Sequence, residues 1–309
     1  MDIASRFRTL TREDRTFNAS RWKPEGTHMQ NLPYGQISQG DSPVLVVTPH
    51  TGTSIPAALL VNPAWVPVEG RQADPFGAIL HGAALKRGMT CVSALYHPCV
   101  IDFNVALDNR PLSSRLNRVG LCRTHTSRGE ALYAEGREPS EAEVNARVDQ
   151  YWKPFHAALT NELLRLRSMH SNVLLLVSHA SSWLSPYREQ PGAADCNIGT
   201  NRGAACDRRL VTAVTESAQA FNRSWVVNGK LADAFAAQHY GKPPTGIHAI
   251  EIEVAGRWRL DCEPRALPEG GAAADAALDK MLGAFEAVLR TLPSNEQPAQ
   301  VGSAPGERC

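Results

Sequence analysis

Two histidines in this chain follow apolar runs in the same way. His50 comes after residues 43–48 and Pro49, and His179 comes after residues 172–177 and Ser178. A short run rich in β-branched or aliphatic residues, bounded by turn-forming residues, is typical of a buried strand. In open α/β sheets the carboxyl ends of such strands form the edge where ligands bind. The sequence therefore predicts that both imidazoles meet at one sheet edge.

Neutral imidazole is a common zinc ligand, so this pair of histidines suggests a metal site. A catalytic zinc also needs a third protein ligand, an open position for water, and a carboxylate that accepts a proton from that water. The candidate acids are Asp74 at the start of a predicted helix, Asp102 after a short apolar segment, and Glu251 or Glu253 in the last predicted strand. The alternative for His50 is a core histidine that is merely hydrogen-bonded.

Glu251 and Glu253 lie two residues apart in the segment 248–254, which alternates like a strand. Residues two apart on a strand point to the same face. Two acids on one face of an otherwise apolar strand are costly to bury unless they are paired or functional. The segment therefore indicates either a site or an edge strand with a solvated acidic face.

The bulk composition is that of an ordinary globular protein. The chain has 309 residues, of which 43% are hydrophobic and 20% charged, and its net charge is +1. We therefore expect a small-molecule ligand rather than nucleic acid or an anionic membrane, and the oligomeric state is left open. The first residues lack the apolar core of a signal peptide, and the seven cysteines show no paired spacing, so we expect a cytoplasmic protein with reduced thiols.

The order of the elements predicts an α/β fold with a single mixed, mostly parallel sheet flanked by helices. We expect an irregular N-terminal arm at residues 1–40, the α/β domain at 41–292, and a disordered tail at 293–309. Predicted strands cover 43–48, 90–95, 172–177, 224–228 and 248–254, a helix begins at Asp74 with Pro75 in its first position, and further helices cover about 140–169, 207–221 and 272–292. The segment 195–200 is assigned to a loop.

Several ordered motifs resemble those of the N-formylglutamate amidohydrolase (N-formylglutamate deformylase) family over about residues 43–262. The matching segments, in chain order, are Pro49-His50 with Gly52, the helix headed by Asp74, residues 100–104, Gly120-Leu121, residues 131–136, residues 151–156, His179, residues 197–200 with Gly203 and Cys206, Asn228-Gly229, residues 239–241, and residues 248–253. Each match is weak alone, and their shared order makes the resemblance specific.

The resemblance implies a metal-dependent hydrolase with a fold similar to zinc carboxypeptidases and cell-wall amidases. It implies one divalent ion, with zinc expected, and His50 and His179 as ligands. Asp74 would be the third ligand, with Asp102 as the alternative and a helix N-cap as the other role open to Asp74. Glu253 would be the general base.

The resemblance also implies a set of substrate-binding or positioning residues, which are Asp102, Asn104, Asn197, Thr200, His239 and Glu251. Glu251 stands where the family more often carries glutamine, so it is expected to have a supporting role.

Five further positions depart from the family pattern. Val105, Ser182 and Gln238 stand where the family carries arginine, and Ser178 and Ala180 replace an aspartate and a serine beside the second histidine. Charge-assisted arginine–carboxylate pairs are strong, so their loss predicts a changed pocket, whereas the matching metal-ligand and base positions predict retained chemistry. The arginines that could compensate are Arg123, Arg188, Arg202 and Arg257.

Three functions follow from these observations. The first is a metal-dependent hydrolase that cleaves a linear C–N bond, amide or amidine-like, in a small acylated amino acid or related metabolite other than N-formylglutamate. The second is an N-formylglutamate deformylase of histidine degradation, and the third is a non-catalytic relative that binds a ligand.

Overall fold

One mixed sheet carries the fold in this computed structural model, which describes residues 29–108, 120–126, 129–180, 194–261 and 268–294. Its strands are Met29–Leu32 (β1), Gly35–Ser38 (β2), Val44–Thr48 (β3), Thr90–Ala94 (β4), Val173–Ser178 (β5), Cys196–Gly199 (β6), Trp225–Val227 (β7) and Ile247–Val254 (β8). They lie in the order β1-β2-β4-β3-β5-β8-β6-β7.

The centre of the sheet is parallel and its flanks are mixed. β3 pairs in parallel with β4 and β5, and β5 pairs in parallel with β8. β2 is antiparallel to β4, and β6 is antiparallel to β8. The carboxyl ends of β3, β5 and β8 therefore share one edge of the sheet. The predicted single mixed α/β sheet flanked by helices is confirmed.

Helices cover both faces of this sheet. They are Ala57–Leu60 (α1), Pro75–Lys86 (α2), Glu141–Arg147 (α3), Lys153–Met169 (α4), Arg208–Ala220 (α5), Phe235–Tyr240 (α6), Gly256–Asp261 (α7) and Pro268–Thr291 (α8). Buried side chains of α2, α5 and α8 pack on one face of β3, β5 and β8, and those of α4 and the segment 99–105 pack on the other. In the part of the chain that is described, no helix is long and apolar enough to cross a membrane.

The helix starts follow the local sequence signals. Asp74 accepts a hydrogen bond from the Gly77 amide (2.9 Å) and caps α2, with Pro75 in the first position. Ser140 and Glu143 form a capping box at the start of α3. The predicted helix 140–169 contains a π-helical turn at Val148–Trp152, just before Pro154, which has no N–H to donate to the preceding turn.

Two segments differ from expectation. Residues 29–38 form β1 and β2 rather than part of an irregular arm. Each strand has only four residues, which is too short for a clear alternation, and β1 is partly exposed whereas β2 is mostly buried. The segment 195–200, assigned to a loop, contains β6. Asn and Gly disfavour strands intrinsically, and here pairing with β8 outweighs that preference. Residues 1–28 and 295–309 lie outside the described residues, so the expected tail is not tested.

Candidate active site

His50 lies just beyond β3 in a buried chain of charged groups. Its Nε2 donates to Asp102 Oδ1 at 2.8 Å, and Arg123 donates to the other carboxylate oxygen at 2.5 Å. The backbone N–H of Ala180 donates to His50 Nδ1 at 2.9 Å. Because a backbone N–H can only donate, Nδ1 must carry the lone pair and Nε2 the proton. The surroundings therefore fix the tautomer of His50.

The charges around Asp102 keep it ionised. Burial alone would raise the pKa of this carboxyl group, but the positive charge of Arg123 and the hydrogen bonds from His50 and Arg123 hold it well below its usual range. Its side chain is only 1% exposed, and that of Arg123 is 8% exposed. Asp102 therefore orients His50 as a permanent anion rather than as a proton donor.

Asn104 joins this chain to a second one. Its backbone N–H donates to Asp102 Oδ1 at 2.9 Å, and its Nδ2 donates to Glu251 Oε2 at 2.6 Å. The same Nδ2 lies 3.0 Å from His179 Nδ1. The rings of His50 and His179 meet edge to face with their centroids 5.3 Å apart. The structure thus brings the two histidines, Asp102, Asn104 and Glu251 together at the carboxyl edge of the sheet.

Glu251 is fully buried and its charge is compensated by this network. Besides Asn104, its carboxylate accepts from the Ala237 amide at 3.0 Å. Ala237 lies in the first turn of α6, where N–H groups have no partner within the helix and no side chain from Ala234 caps them. Burial lowers the pKa of His179, but the hydrogen bond and charge of Glu251 outweigh that effect and raise it.

Glu253 lies on the same strand face, as predicted, and carries its own cation. Lys230 Nζ lies 2.5 Å from Glu253 Oε1. Glu253 is 2% exposed and Lys230 is 34% exposed. Asn197 on β6 lies directly opposite Glu253 in the strand register. β8 is enclosed between β5 and β6, so the alternative of an edge strand with a solvated acidic face is wrong.

Asp74 is buried beside β5, although both of its oxygens are engaged. One accepts the capping bond from Gly77, and the other accepts from the Ser178 hydroxyl, directly before His179. The N-cap alternative is therefore observed.

The donor types at this edge fit a zinc ion, whereas their arrangement is not that of a closed site. Two imidazoles and a neighbouring buried carboxylate are a usual donor set, and a histidine held through Nε2 by a carboxylate is a common feature of zinc ligands. However, no three His, Cys, Asp or Glu side chains within the described ranges are close enough to hold an ion. Ion binding at His50 Nδ1 would require the Ala180 N–H to turn away.

Two of the expected substrate-binding residues lie apart from the network. The Thr200 hydroxyl donates to Asn228 Oδ1 at 3.0 Å and so joins two loops. His239 is exposed on α6 and stacks on Phe235, with ring centroids 5.2 Å apart. Neither side chain hydrogen-bonds to His50, His179 or the two glutamates in the network.

The positions that lack arginine remain without positive charge where they are described. Val105 is buried and its carbonyl accepts from the Trp152 indole at 3.1 Å, and Gln238 is exposed on α6. Ser182 and Arg188 lie outside the described residues. Arg202 and Arg257 are paired elsewhere, with Asp233 and Asp195 respectively. Of the described arginines that could replace the missing ones, Arg123 lies in the site, where it is already paired with Asp102.

Three contributors to the site were not placed by the sequence analysis. Lys230 is a single basic residue in a loop, and no periodicity or spacing links it to Glu253, 23 residues away. Arg123 was named there without a location. His156 is buried on α4, where its Nε2 contacts the Phe103 carbonyl at 2.9 Å and its Nδ1 contacts the Tyr240 hydroxyl at 2.5 Å. It thereby holds the peptide between Asp102 and Asn104.

Known proteins resemble this chain over most of its length. The model of a family described as N-formylglutamate amidohydrolase matches residues 42–258. An N-formylglutamate deformylase from Pseudomonas aeruginosa is 31% identical over 225 residues, which cover 71% of this chain and 82% of that protein. One from Pseudomonas putida is 33% identical over 220 residues, which cover 70% and 81%.

Solved structures share the fold. An N-formylglutamate amidohydrolase from Ralstonia eutropha superposes with a TM-score of 0.69 at 21% identity, over 84% of this chain and 99% of that one. A gene product of Agrobacterium tumefaciens superposes with a TM-score of 0.57 at 17% identity, over 81% and 92%. At these identities the likeness concerns the fold alone.

Proposed function

Because the chain belongs to the N-formylglutamate amidohydrolase family, we propose that it is an amidohydrolase that cleaves the linear amide bond of a small N-acylated amino acid. The observation that carries the proposal is the buried network in which Asn104 connects the two strand-end histidines with Glu251. A buried set of charged groups on a sheet edge costs stability unless it is compensated or used, and this set occupies the edge where α/β folds bind ligands.

Glu253 is the proposed general base. Its carboxylate would take a proton from the water that attacks the carbonyl carbon and return it to the nitrogen as the C–N bond breaks. Lys230 places an opposite charge 2.5 Å from this buried carboxylate. Asp102 holds His50 in one tautomer, and Asn104 holds His179 against Glu251.

We further propose one divalent ion, with zinc expected, held by His50, His179 and Asp74. When bound, such an ion polarises a carbonyl oxygen and lowers the pKa of water to about 7. The tautomer of His50 supports this role, because Nδ1 carries no proton; the Ala180 N–H that donates to this nitrogen would have to turn away when the ion binds.

The proposed substrate carries fewer carboxylates than N-formylglutamate. Support comes from Val105 and Gln238, uncharged residues at positions where the resemblance implies arginine. N-Formylglutamate itself is the second candidate, favoured by the two deformylases to which the chain is similar. A comparison of N-formyl-L-glutamate with N-formyl-L-glutamine decides between them, because the two differ by a single side-chain carboxylate.

The first experiment is amide hydrolysis by the zinc-loaded protein, measured as amine release from a panel of N-formyl and N-acetyl amino acids. Glu253→Gln should lower kcat by about 100-fold or more, as expected for loss of a general base. Glu216→Gln, an exposed change on α5, is the matched control and should leave kcat unchanged. Full activity of Glu253→Gln would remove the proposed role of Glu253.

Metal content tests the proposed ion separately. Elemental analysis should find about one zinc per chain in the wild type and in His170→Ala, which lies at the end of α4 away from the site, and less in His50→Ala and His179→Ala. A wild type without metal after reconstitution and without turnover would leave the non-catalytic binding relative as the explanation.

A further inference from the structure

We propose that Lys230 is a specificity-determining residue that recognises a carboxylate group of the substrate; this rests on the proposed hydrolase function and specifies its ligand chemistry. The proposal begins from two cations that lie at the site among the described residues. Arg123 is buried with Asp102, whereas Lys230 is one-third exposed although it contacts a buried carboxylate.

The local backbone fixes where Lys230 begins. Asn228 adopts a left-handed conformation (φ 53°) and its side-chain oxygen accepts from both the amide and the hydroxyl of Thr200 at 3.0 Å. Leu231, next along the chain, is buried. The main chain at Lys230 is thus held on both sides, so that only its four-carbon side chain is free to choose partners.

The ammonium group of Lys230 has more N–H donors than it has acceptors among the described side chains. It carries three N–H groups, and within the described ranges the single side-chain acceptor at hydrogen-bond distance is Glu253 Oε1. Because it is a compact point charge on a flexible stem, a lysine can exchange one carboxylate for another without the geometric demands of a guanidinium. A substrate carboxylate that enters beside Glu253 would therefore find a cation already in place.

This exchange would couple recognition to activation of the base. With an anionic substrate bound, Lys230 would turn its charge towards the substrate and leave Glu253 Oε1 open to a water proton. An uncharged ligand would provide no such replacement partner. The chemical class recognised is thus a carboxylate-bearing N-acyl amino acid.

Matched substrate pairs test the inference in the full-length protein. N-Formyl-L-methionine and its amide differ in the α-carboxylate alone, and N-formyl-L-glutamate and N-formyl-L-glutamine differ in the side-chain carboxylate alone. In the wild type we expect kcat/KM to favour the carboxylate in at least one pair. In Lys230→Met the ratio of kcat/KM for the carboxylate substrate to kcat/KM for its uncharged counterpart should fall by about 10- to 100-fold, which corresponds to the loss of one charged hydrogen bond. Lys230→Arg should retain part of it.

Arg71→Met is the matched control. Arg71 is an exposed cation whose charge reaches His97 near the network, and it has no place in the proposed mechanism. Its loss should leave both ratios unchanged. An equal loss of kcat/KM for the charged and uncharged members of each pair in Lys230→Met would show that Lys230 serves Glu253 alone, and would overturn the proposal.

Binding measurements separate this inference from the proposed hydrolase function and from a folding defect. By calorimetry, Glu253→Gln should bind L-glutamate at least as tightly as wild type, because Lys230 is released from its partner. The double variant Lys230→Met/Glu253→Gln leaves neither charge of this pair unpaired, and it should bind L-glutamate at least about 10-fold more weakly than Glu253→Gln. If binding depends on Lys230 but the wild type shows no turnover, the proposed hydrolase function is refuted and the carboxylate site is retained. If Glu253→Gln and the double variant bind L-glutamate equally, the carboxylate site is refuted.

Discussion

The ion pair between Asp102 and Arg123 should behave as a single unit in folding. Asp102→Asn removes the negative charge and leaves the Arg123 guanidinium buried, with no partner for its Nε among the described residues. Arg123→Met removes the positive charge and leaves the carboxylate with His50 and the Asn104 amide alone. Because each change leaves an uncompensated buried charge, each should lower the free energy of unfolding by about 3–5 kcal/mol.

The double variant provides the quantitative test. If the two losses were independent, it would lose about 6–10 kcal/mol, which is comparable to the whole stability of a typical domain. Since neither charge remains in Asp102→Asn/Arg123→Met, we expect a loss close to that of one single change, and therefore a coupling of about 3 kcal/mol or more.

Urea unfolding at pH 7.5, followed by tryptophan fluorescence, measures these free energies. The control cycle uses Arg202 and Asp233, a bidentate pair whose side chains are 72% and 49% exposed. Its coupling should not exceed about 1 kcal/mol. Additivity of the Asp102 and Arg123 changes within about 0.5 kcal/mol would refute the inference that the buried charges depend on each other.

Three further outcomes follow from the described contacts. Burial lowers the pKa of His97 and of His156 to about 3, whereas histidine in the unfolded chain has a pKa of about 6.5. Because the unfolded chain therefore binds more protons between these values, each histidine should reduce the unfolding free energy by about 1.4 kcal/mol per pH unit as the pH falls from about 6.5 towards 3. Equal unfolding free energies from urea titrations at pH 7, 6 and 5 would contradict this. Gly52→Ala places a Cβ 2.2 Å from the Tyr96 carbonyl oxygen and should cost about 1–3 kcal/mol, which a thermal melt unchanged from wild type would disprove. Ser140→Ala removes the capping box of α3 and should cost about 0.5–2 kcal/mol, measured by urea unfolding, with no effect expected on hydrolysis.

The site could be anticipated from sequence where its information is local. His50 and His179 each end an apolar run, and the alternation of β8 placed Glu251 and Glu253 on one face. These inferences depend on strand periodicity and on the common edge of parallel strands, which short segments encode. The helix at Asp74 followed in the same way from its cap and proline.

The remaining features depend on contacts between distant segments. β6 exists because β8 offers it a partner, although its own residues favour a loop. Glu251 replaces a missing cap on α6, so the role of its charge becomes visible only when the helix is placed beside the strand. Lys230 shows no sequence signal at all, because a single lysine in a loop is as compatible with solvent as with a buried glutamate.

Two carboxylates of the site, Asp102 and Glu253, are paired with cations in different ways, and the difference separates a structural role from substrate recognition. Asp102 is held by a buried guanidinium that does not lose its proton, so its charge pair persists whatever the pocket contains. Glu253 is held by an ammonium whose side chain is one-third exposed, and breaking that contact returns the cation towards water or towards an incoming anion. A cation buried as deeply as Arg123 cannot leave its partner without a large cost, so it can orient His50 but cannot select among ligands. Selection by charge at this edge therefore falls to the cation that can move.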